Sequence, residues 1–520
     1  MLTLIDTEPR VAPDTRRQPR HGMTRLAGIR RCWLLKGPKL LLGRPRLPAM
    51  AIINSAPVGS RRRVVRHVGR LLGGEVTSKT LRFVATVVLA RTASPSAFGL
   101  INVAIAISGL ALVATSLGLP DLAARDVAVE PKNAGWLLGH VGTTRLAAVA
   151  CMTAVGLPLG LVIWPGHTLL LVVAALMAAF MSVSGDWMAR GLERTSLFAS
   201  ASATGGATLV VAVVILSRVS RSAVAGLAAF AVAEGAAAVL LLQRLTRGID
   251  LRIGVRGMRR MLRRARPLAF SSFAIYSYYA NLDTLILAAS HSVREAGLYS
   301  APYRLFLVFN VVAIFAAFAM LPSLVQLAAG SSALSANKFI QSMLRLLGGY
   351  GLAILGIIEI IGRPILGILF GAEFRVAAPT LVLLVASVSW YAIGYPAGYS
   401  LIAAEKGGRF LVGAAMASIL GTTLDVILIP PMGMKGAGLA TMIAFAASSV
   451  VWLRARGLID RHTVPILAAA AGSTVGSLGI VFWGWSTAVV ATPTLLVAGL
   501  FLLSSMDLRH GRPLRAVARS

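Results

Sequence analysis

Five basic side chains lie inside long apolar stretches of this sequence, where a charge at the centre of a bilayer would cost at least about 2.5–3.5 kcal/mol. They are Lys79, Arg82, Arg145, Arg304 and Arg345. Such charges normally face a cavity or a partner, and a guanidinium binds phosphate oxygens through two parallel hydrogen bonds. These residues are therefore predicted to line a central cavity that binds an anionic substrate, with a pyrophosphate as the natural candidate. For Arg145, a side chain that snorkels to the membrane surface is an open alternative.

Three acidic residues in the same stretches are candidates for charge pairing or for coupling to an ion: Glu75, Glu234 and Asp283. Glu75 stands four residues before Lys79 on one helical face, the order that favours an intrahelical ion pair. That pair would leave Arg82 as the net positive charge of its helix. Glu234 is the evident partner for Arg82, but a lone Glu234 that carries a proton is equally compatible with the sequence.

Two further acids and a group of tyrosines are also candidates. Glu359 and Asp425 lie near predicted span ends, so they are expected to cap helices or to snorkel. The tyrosines could stack on sugar faces or form an interfacial aromatic belt, and they are Tyr276, Tyr278, Tyr279, Tyr299 and Tyr303.

The elements that must position these residues are membrane-spanning helices. The chain of 520 residues is 57% hydrophobic and 13% charged, whereas soluble domains have about 45–50% and 25%, which excludes a soluble globular enzyme. A helix needs about 20 apolar residues to cross a bilayer. We predict fourteen spans: 71–91, 97–117, 137–160, 168–187, 197–217, 222–243, 267–290, 298–321, 338–360, 376–400, 408–429, 436–455, 464–484 and 486–504.

The basic residues outside the spans determine the predicted orientation. If the amino terminus is cytoplasmic, 39 Lys and Arg lie on the inner side and 7 on the outer side, as the positive-inside rule requires. Both termini are therefore predicted to be cytoplasmic. The formal charge of +32 is concentrated in tails and loops, so we expect contact with the membrane surface and no nucleic acid partner.

The spans divide into two halves and a carboxyl-terminal pair. The predicted parts are a disordered basic arm at 1–68, six spans at 69–243, a basic linker at 244–266, six spans at 267–455, two spans at 456–504 and a basic tail at 505–520. Met50 is an alternative start to Met1.

An internal repeat supports this division. Leu89-Ala90 followed by Gly99-Leu100 recurs as Leu287-Ala288 followed by Gly297-Leu298, at an offset of 198 residues. The two copies fall at corresponding places in the two halves, as in transporter folds built from repeated bundles.

No segment of the sequence is suited to catalysis or to a cofactor. No loop between spans is long enough to hold a catalytic domain, and the seven histidines and two cysteines have no metal-binding spacing. Residues 73–80 resemble a phosphate-binding loop, but Ser78 replaces its second glycine and no strand precedes it. The sequence therefore predicts neither an enzyme nor a bound metal or cofactor.

Four segments of the chain resemble the flippases of lipid-linked oligosaccharides, the polysaccharide and O-antigen branch of the MATE-like MOP superfamily. They are Phe98-Gly99-Leu100 with Leu117-Gly118-Leu119 and Arg125-Asp126; Asn281-Leu282-Asp283 with 296–301, Arg304 and Pro322; Leu369-Phe370-Gly371 with Phe374; and 404–409 with Leu428-Ile429-Pro430 and 433–441. The resemblance covers about 70–505. Asp425 departs from it, because these flippases more often have Asn there.

The resemblance implies an all-α polytopic protein of the cell membrane, with two pseudo-symmetric six-helix lobes around a cavity and two extra helices. It also implies that a polyprenyl-pyrophosphate-linked oligosaccharide moves from the inner to the outer leaflet by alternating access, for export of a cell-surface polysaccharide. Arg82, Arg304 and Asp283 are the residues carried over to this role. A polysaccharide polymerase and glycosyltransferases are candidate protein partners.

Three other functions compete with this interpretation. A proton- or sodium-coupled drug or metabolite antiporter would have the same fold but a cavity dominated by acids, whereas basic residues predominate here. An intramembrane polymerase or glycosyltransferase would need a large outer loop or clustered catalytic acids, and the sequence has neither. A non-transporting scaffold for glycan assembly would not need charges at mid-membrane.

Overall fold

The computed structural model describes residues 58–116, 118–247, 254, 261–266, 281–321, 323–325 and 333–506. The chain divides into two compact units, Met1–Val64 and Val65–Ser520. Most of the predicted arm and linker, the first half of span seven and the tail lie outside the described residues. The end of the arm, predicted to be disordered, is helical from Val58 onward.

The described residues form α-helices and two short 3-10 helices, with no strand among them. The 3-10 helices cover Pro131–Asn133 and Ala372–Ala377. The α-helices are α1 (Val58–Thr92), α2 (Pro95–Ser116), α3 (Leu119–Val129), α4 (Ala134–Ile163), α5 (Thr168–Val183), α6 (Asp186–Gly191), α7 (Thr195–Val219), α8 (Ala223–Leu245), α9 (Leu282–Ser290), α10 (Val293–Ala319), α11 (Ala333–Leu369), α12 (Ala378–Ala403), α13 (Gly407–Met432), α14 (Met434–Arg456), α15 (Val464–Trp483) and α16 (Thr487–Met506).

Within the described ranges, twelve helical stretches are long and apolar enough to cross a membrane, and each overlaps one of the predicted spans. The chain is therefore a polytopic all-α membrane protein. Helix α1 covers span one but is not among the twelve, and span seven is described only where α9 covers its end. The count of fourteen spans stays a prediction.

Proline and glycine shape several of these helices. Pro302 lies inside α10 and Pro364 inside α11 without ending either helix, because neighbouring helices in a bundle can satisfy the backbone groups that proline leaves free. Helices α14 and α15 end at Gly457 and Gly484, with φ of 73° and 69°, a left-handed conformation that glycine adopts without strain.

We refer to helices α1 to α8 as the N-lobe and to α9 to α14 as the C-lobe, following the division predicted from the sequence. Helix α15 packs on α12 and α16 on α11. An apolar core passes from one lobe to the other. In this core the rings of Phe83 and Phe370 lie 6.3 Å apart, and those of Phe98 and Phe374 lie 5.9 Å apart.

The two lobes also touch through the starts of α2 and α10. A Cβ added at Gly99 would lie 1.9 Å from the carbonyl oxygen of Val293, and one at Gly297 would lie 2.0 Å from that of Pro95. These are the two glycines of the internal repeat. We call the contact formed by Phe98, Gly99, Gly297, Phe370 and Phe374 the lobe junction.

Candidate functional site

The charged centre of the N-lobe is an ion pair between α1 and α8. Arg82 Nη1 lies 2.6 Å from Glu234 Oε1, and their side chains retain 31% and 17% of their accessible surface. The sequence left two roles open for Glu234, an ion-pair partner of Arg82 or a lone proton carrier. The structure shows the ion pair. The pair is only partly buried, so another group can still reach the guanidinium.

Small residues on α1 and α7 bring these two helices close enough to position Arg82. Ser78 donates a hydrogen bond of 2.8 Å to the carbonyl oxygen of Ser202. A Cβ at Gly206 would lie 3.0 Å from Leu81 Cβ, and one at Gly205 would lie 3.3 Å from Arg82 Nη2. The backbone of α7 therefore forms one wall beside the guanidinium.

Lys79 lies one turn before Arg82 and is more exposed. Its Nζ is 3.9 Å from Glu75 Oε2, and half of the Lys79 side chain is accessible. The intrahelical contact predicted from the sequence is thus present. Exposed pairs of this kind contribute about 0.3–0.5 kcal/mol, so Glu75 is a weak competitor for any anion near Lys79.

Arg304 brings a second guanidinium toward Arg82 from the C-lobe. The two arginines interact electrostatically across the lobes. Arg304 Nη2 donates a hydrogen bond of 2.9 Å to Asn102 Oδ1, on α2 of the N-lobe. Among the described residues no carboxylate forms an ion pair with Arg304.

Asn102 was not identified from the sequence. It is 6% exposed, and its amide nitrogen donates a 2.8 Å hydrogen bond to the carbonyl oxygen of Phe98. The sequence did contain an indication of its role, because a polar amide inside an apolar helix is costly to bury without hydrogen-bond partners.

Arg145 and Arg345, the other predicted cavity arginines, have different surroundings. Arg145 is 3% exposed, so the alternative of a snorkelling side chain is wrong. It interacts electrostatically with Asp186, which itself pairs with Arg190 at 2.9 Å. Arg345 is partly exposed on α11 and forms no ion pair with a described carboxylate. Arg82 and Arg304 interact electrostatically with each other, but neither Arg145 nor Arg345 is linked to them by a described interaction.

A carboxylate cluster lies in the C-lobe. Asp283 accepts hydrogen bonds from the Tyr299 hydroxyl and from the backbone and hydroxyl of Thr284, and it interacts electrostatically with Asp425. Asp425 Oδ1 has no hydrogen-bond partner among the described residues. Two carboxylates with adjacent hydroxyls can hold a proton or a small cation between them.

The expected surface positions of Asp425 and Glu359 are wrong. Asp425 is 2% exposed and Glu359 is 4% exposed. Glu359 accepts a 2.8 Å hydrogen bond from Ser477 on α15, while its Oε2 has no described partner. Both residues lie inside helices that continue beyond the predicted span ends, α13 to Met432 and α11 to Leu369.

The tyrosines proposed for sugar stacking differ in their surroundings. Tyr276, Tyr278 and Tyr279 lie outside the described residues. Tyr299 is fully buried and bonded to Asp283, so it presents no face to a sugar. Tyr303 is partly exposed and interacts electrostatically with Arg304, next to it in the chain.

Polar contacts reinforce the lobe junction. Arg91 at the end of α1 donates to the carbonyl oxygens of Ile368 and Leu369 at the end of α11. Within the C-lobe, Arg294 Nη2 lies 3.0 Å from Glu373 Oε2, but both side chains are more than half exposed. Glu295 accepts a 3.0 Å hydrogen bond from the backbone of Met434.

Comparison with known proteins gives the fold a context. The solved structure titled "Lipid II flippase MurJ, inward closed conformation" has a TM-score of 0.67 at 11% identity, over 85% of this chain and 98% of that chain. An inward-facing multidrug resistance MATE family transporter of the MOP superfamily has a TM-score of 0.57 at 13% identity, over 74% and 95%. At these identities the likeness establishes the fold, which is that of MOP superfamily transporters.

One curated relative matches part of the chain. It is the "Probable low-salt glycan biosynthesis flippase Agl15" of Haloferax volcanii, 24% identical over 192 residues. The match covers 35% of this chain and spans 40% of that relative's length. The profile of a family described as "Polysaccharide biosynthesis protein" matches residues 64–328, just over half of the chain. This all-α membrane protein therefore belongs to the polysaccharide biosynthesis protein family.

Proposed function

We propose that the protein is a flippase that moves a polyprenyl-pyrophosphate-linked oligosaccharide from the inner to the outer leaflet of the cell membrane. The observation that carries this proposal is that Arg304 reaches from the C-lobe to Asn102 on α2, 2.9 Å away, in the lobe that also holds Arg82. Arg82 is compensated by Glu234, whereas Arg304 bonds only a neutral amide within the described contacts. A pyrophosphate between the lobes supplies the missing negative charge and accepts bidentate hydrogen bonds.

The proposed cycle is alternating access with both termini in the cytoplasm. In that orientation the ends of α1 and α11 and the starts of α2 and α10 lie on the outer side. The contacts of the lobe junction then close the outer side, and the substrate enters from the cytoplasmic side. Lys79 is a second proposed contact for the pyrophosphate, since it lies one helical turn from Arg82.

Arg145 and Arg345 keep a place in the proposal as contacts for other parts of the substrate. Both are basic and lie on spanning helices, α4 and α11. A sugar chain bearing acidic groups would need positive charge beyond the pyrophosphate. The proposed protein partners are a polysaccharide polymerase and glycosyltransferases, which would act after and before translocation.

Mass spectrometry of polyprenyl-linked glycans in depleted cells tests this function, with leaflet exposure probed by an impermeant lectin. We expect a lipid-linked oligosaccharide to accumulate in the inner leaflet, and its mass to identify the substrate. Re-expression of the wild-type chain should clear it, whereas Arg304→Ala should not. An unchanged lipid pool in depleted cells contradicts the proposal.

The second candidate is a proton- or sodium-coupled antiporter of drugs or metabolites. The buried pair Asp283 and Asp425 favours it, because two carboxylates within electrostatic reach can carry a proton or a cation. Depleted cells would then keep a normal glycan lipid pool and change their sensitivity to cationic compounds. The same pair could also supply ion coupling to the flippase.

A further inference from the structure

A polar contact joins the lobes beside the lobe junction. It consists of Asn102 on α2, whose Oδ1 accepts from Arg304 Nη2 on α10 at 2.9 Å. The amide nitrogen of Asn102 donates to Phe98 O at 2.8 Å, so both ends of this buried amide are engaged. Its orientation is thereby fixed, and its oxygen faces the opposite lobe.

The charges around this contact are unbalanced. Arg82 has Glu234 at 2.6 Å, whereas the part of the chain that the structure describes offers Arg304 no carboxylate partner. Arg82 also repels Arg304. A neutral amide cannot offset that charge. An anionic oxygen group offers Arg304 charge neutralisation and two parallel hydrogen bonds, neither of which the neutral amide provides, so an arriving anion competes successfully with Asn102.

We propose that Asn102 is a positioning residue that acts as an anion-released latch between the lobes. Without anion it holds Arg304 across the lobe boundary and stabilises the packing of α2 on α10. When a diphosphate group binds between Arg82 and Arg304, the guanidinium turns to the anion and the Asn102 bond is lost. The identity of the anion as a diphosphate rests on the proposed function, whereas the latch rests on the observed contact between Asn102 and Arg304.

This exchange links binding to lobe separation. A ligand shifts a conformational equilibrium only by the difference in its affinity for the two states. With the latch closed, the anion must displace Asn102 to reach Arg304 fully, and with the lobe junction open it need not. The anion, which bridges Arg82 and Arg304 in either arrangement, therefore binds more tightly when the lobe junction is open and favours its opening.

Ser300 offers a matched control for Asn102. It stands 198 residues after Asn102, the offset of the internal repeat, and is also buried. Its hydroxyl donates to Ala296 O of its own helix at 2.7 Å. The substitution Ser300→Ala removes a buried polar group on the same helix pair without touching the contact between the lobes.

The test uses the full chain in lipid nanodiscs with two spin labels. Labels at Val219, the end of α7, and Val376, after α11, report the distance between the lobes, because both positions are more than half exposed. The native cysteines are first replaced through Cys32→Ser and Cys151→Ser. Pulsed electron paramagnetic resonance gives the distance distribution, and titration calorimetry gives the Kd. The probes are inorganic pyrophosphate and undecaprenyl pyrophosphate.

Adding the probe should lengthen the distance in the wild type and in Ser300→Ala. Asn102→Ala should show the longer distance without any probe and gain no further shift. Asn102→Asp should keep the short distance and raise the Kd at least tenfold, because its carboxylate neutralises Arg304. A response to both probes means that the diphosphate alone releases the latch, and a response to the lipid alone means that the tail is also needed.

Two failures can be told apart. If the wild type binds the probes and Arg304→Ala does not, but both Asn102 variants match Ser300→Ala in distance and Kd, the latch is overturned and the proposed function stands. If neither probe binds the wild type, the pyrophosphate substrate is overturned together with the latch. Size-exclusion profiles identical to the wild type establish that each variant is folded.

Discussion

Gly99 and Gly297 touch backbone to backbone although they are 198 residues apart. Each is the fifth residue of its helix, α2 and α10 respectively. The internal repeat therefore places two equivalent glycines against each other, as expected for lobes related by a pseudo-two-fold axis. The contact leaves no room for a methyl group on either side.

Gly99→Ala and Gly297→Ala should each prevent the lobe junction from closing. A Cβ at either position would lie about 2 Å from a carbonyl oxygen of the other helix, and backbone atoms cannot move aside as a flexible side chain can. We expect loss of polysaccharide export with normal protein levels, measured by polymer output and immunoblotting. Gly142→Ala is the control, because a Cβ there meets no atom within 4 Å. Normal export in both junction variants would show that this contact is not needed for transport.

Arg82→Ala should abolish export while the protein stays in the membrane. The substitution removes the guanidinium and leaves Glu234, otherwise 2.6 Å from it, as an uncompensated acid. The double variant Arg82→Ala with Glu234→Gln removes that acid and should restore thermal stability but not export. Arg218→Ala, at the end of α7, serves as the control for loss of one basic residue. Polymer output and melting temperature are measured together. Export by the double variant would exclude Arg82 from substrate binding.

Asp283→Asn and Asp425→Asn should differ in their effect on stability. Asp283 accepts hydrogen bonds from Tyr299 and Thr284, and each such bond contributes about 0.5–1.5 kcal/mol. Asp425 Oδ1 has no described partner to lose. Asp283→Asn should therefore lower the melting temperature by several degrees, and Asp425→Asn should leave it unchanged or raise it. The reverse order in a thermal unfolding assay would contradict this account of the cluster.

Asp425→Asn should also be tolerated in export. The resembling flippases more often have Asn at this position, and no described hydrogen bond depends on Oδ1 of Asp425. Polymer output is compared with that of Asp283→Asn at equal protein levels. Complete loss of export in Asp425→Asn would mean that its carboxylate carries the coupling ion.

The loop after α14 should make stability depend on pH through Asp460. Burial raises the pKa of Asp460, but donors at His462, Thr463 and Gln341 outweigh it and hold the pKa below its ordinary value. A lowered folded-state pKa stabilises the protein above the unfolded value of about 3.9, and this contribution is lost as the pH falls through the folded value. Asp460→Asn should remove this contribution, so the wild type should lose its stability advantage over Asp460→Asn on acidification below about pH 5. Parallel melting temperatures for the two proteins between pH 7 and pH 3 would exclude the effect.

The sequence predicted the charge pairing better than it predicted burial. Helical spacing was enough for Glu75 with Lys79, and one mid-span acid was available to meet Arg82. Glu359 was misplaced because Arg363 and Pro364 interrupt the hydropathy signal, although α11 continues to Leu369. Helix packing, unlike hydropathy, decides whether such an acid reaches the surface.

The contacts between the lobes could not be predicted from the sequence, for a different reason. The repeat identified Gly99 and Gly297 as equivalent, but equivalence does not imply that two residues touch. Asn102 was missed because it is uncharged, and only the arrangement of α2 against α10 makes its oxygen the partner of Arg304. The common cavity for all five basic residues was inferred from their type, whereas the structure shows an electrostatic interaction between only two of them among the described residues, Arg82 and Arg304.

The hydrogen bonds of Arg91 have a consequence for the solvent. While the lobes are together, one guanidinium of the N-lobe satisfies two carbonyl oxygens at the end of α11. Parting the lobes breaks both bonds at once, and water molecules must replace them on the carbonyls and on the exposed guanidinium. Opening at this end is therefore a hydration step, and osmolytes that lower water activity should slow it.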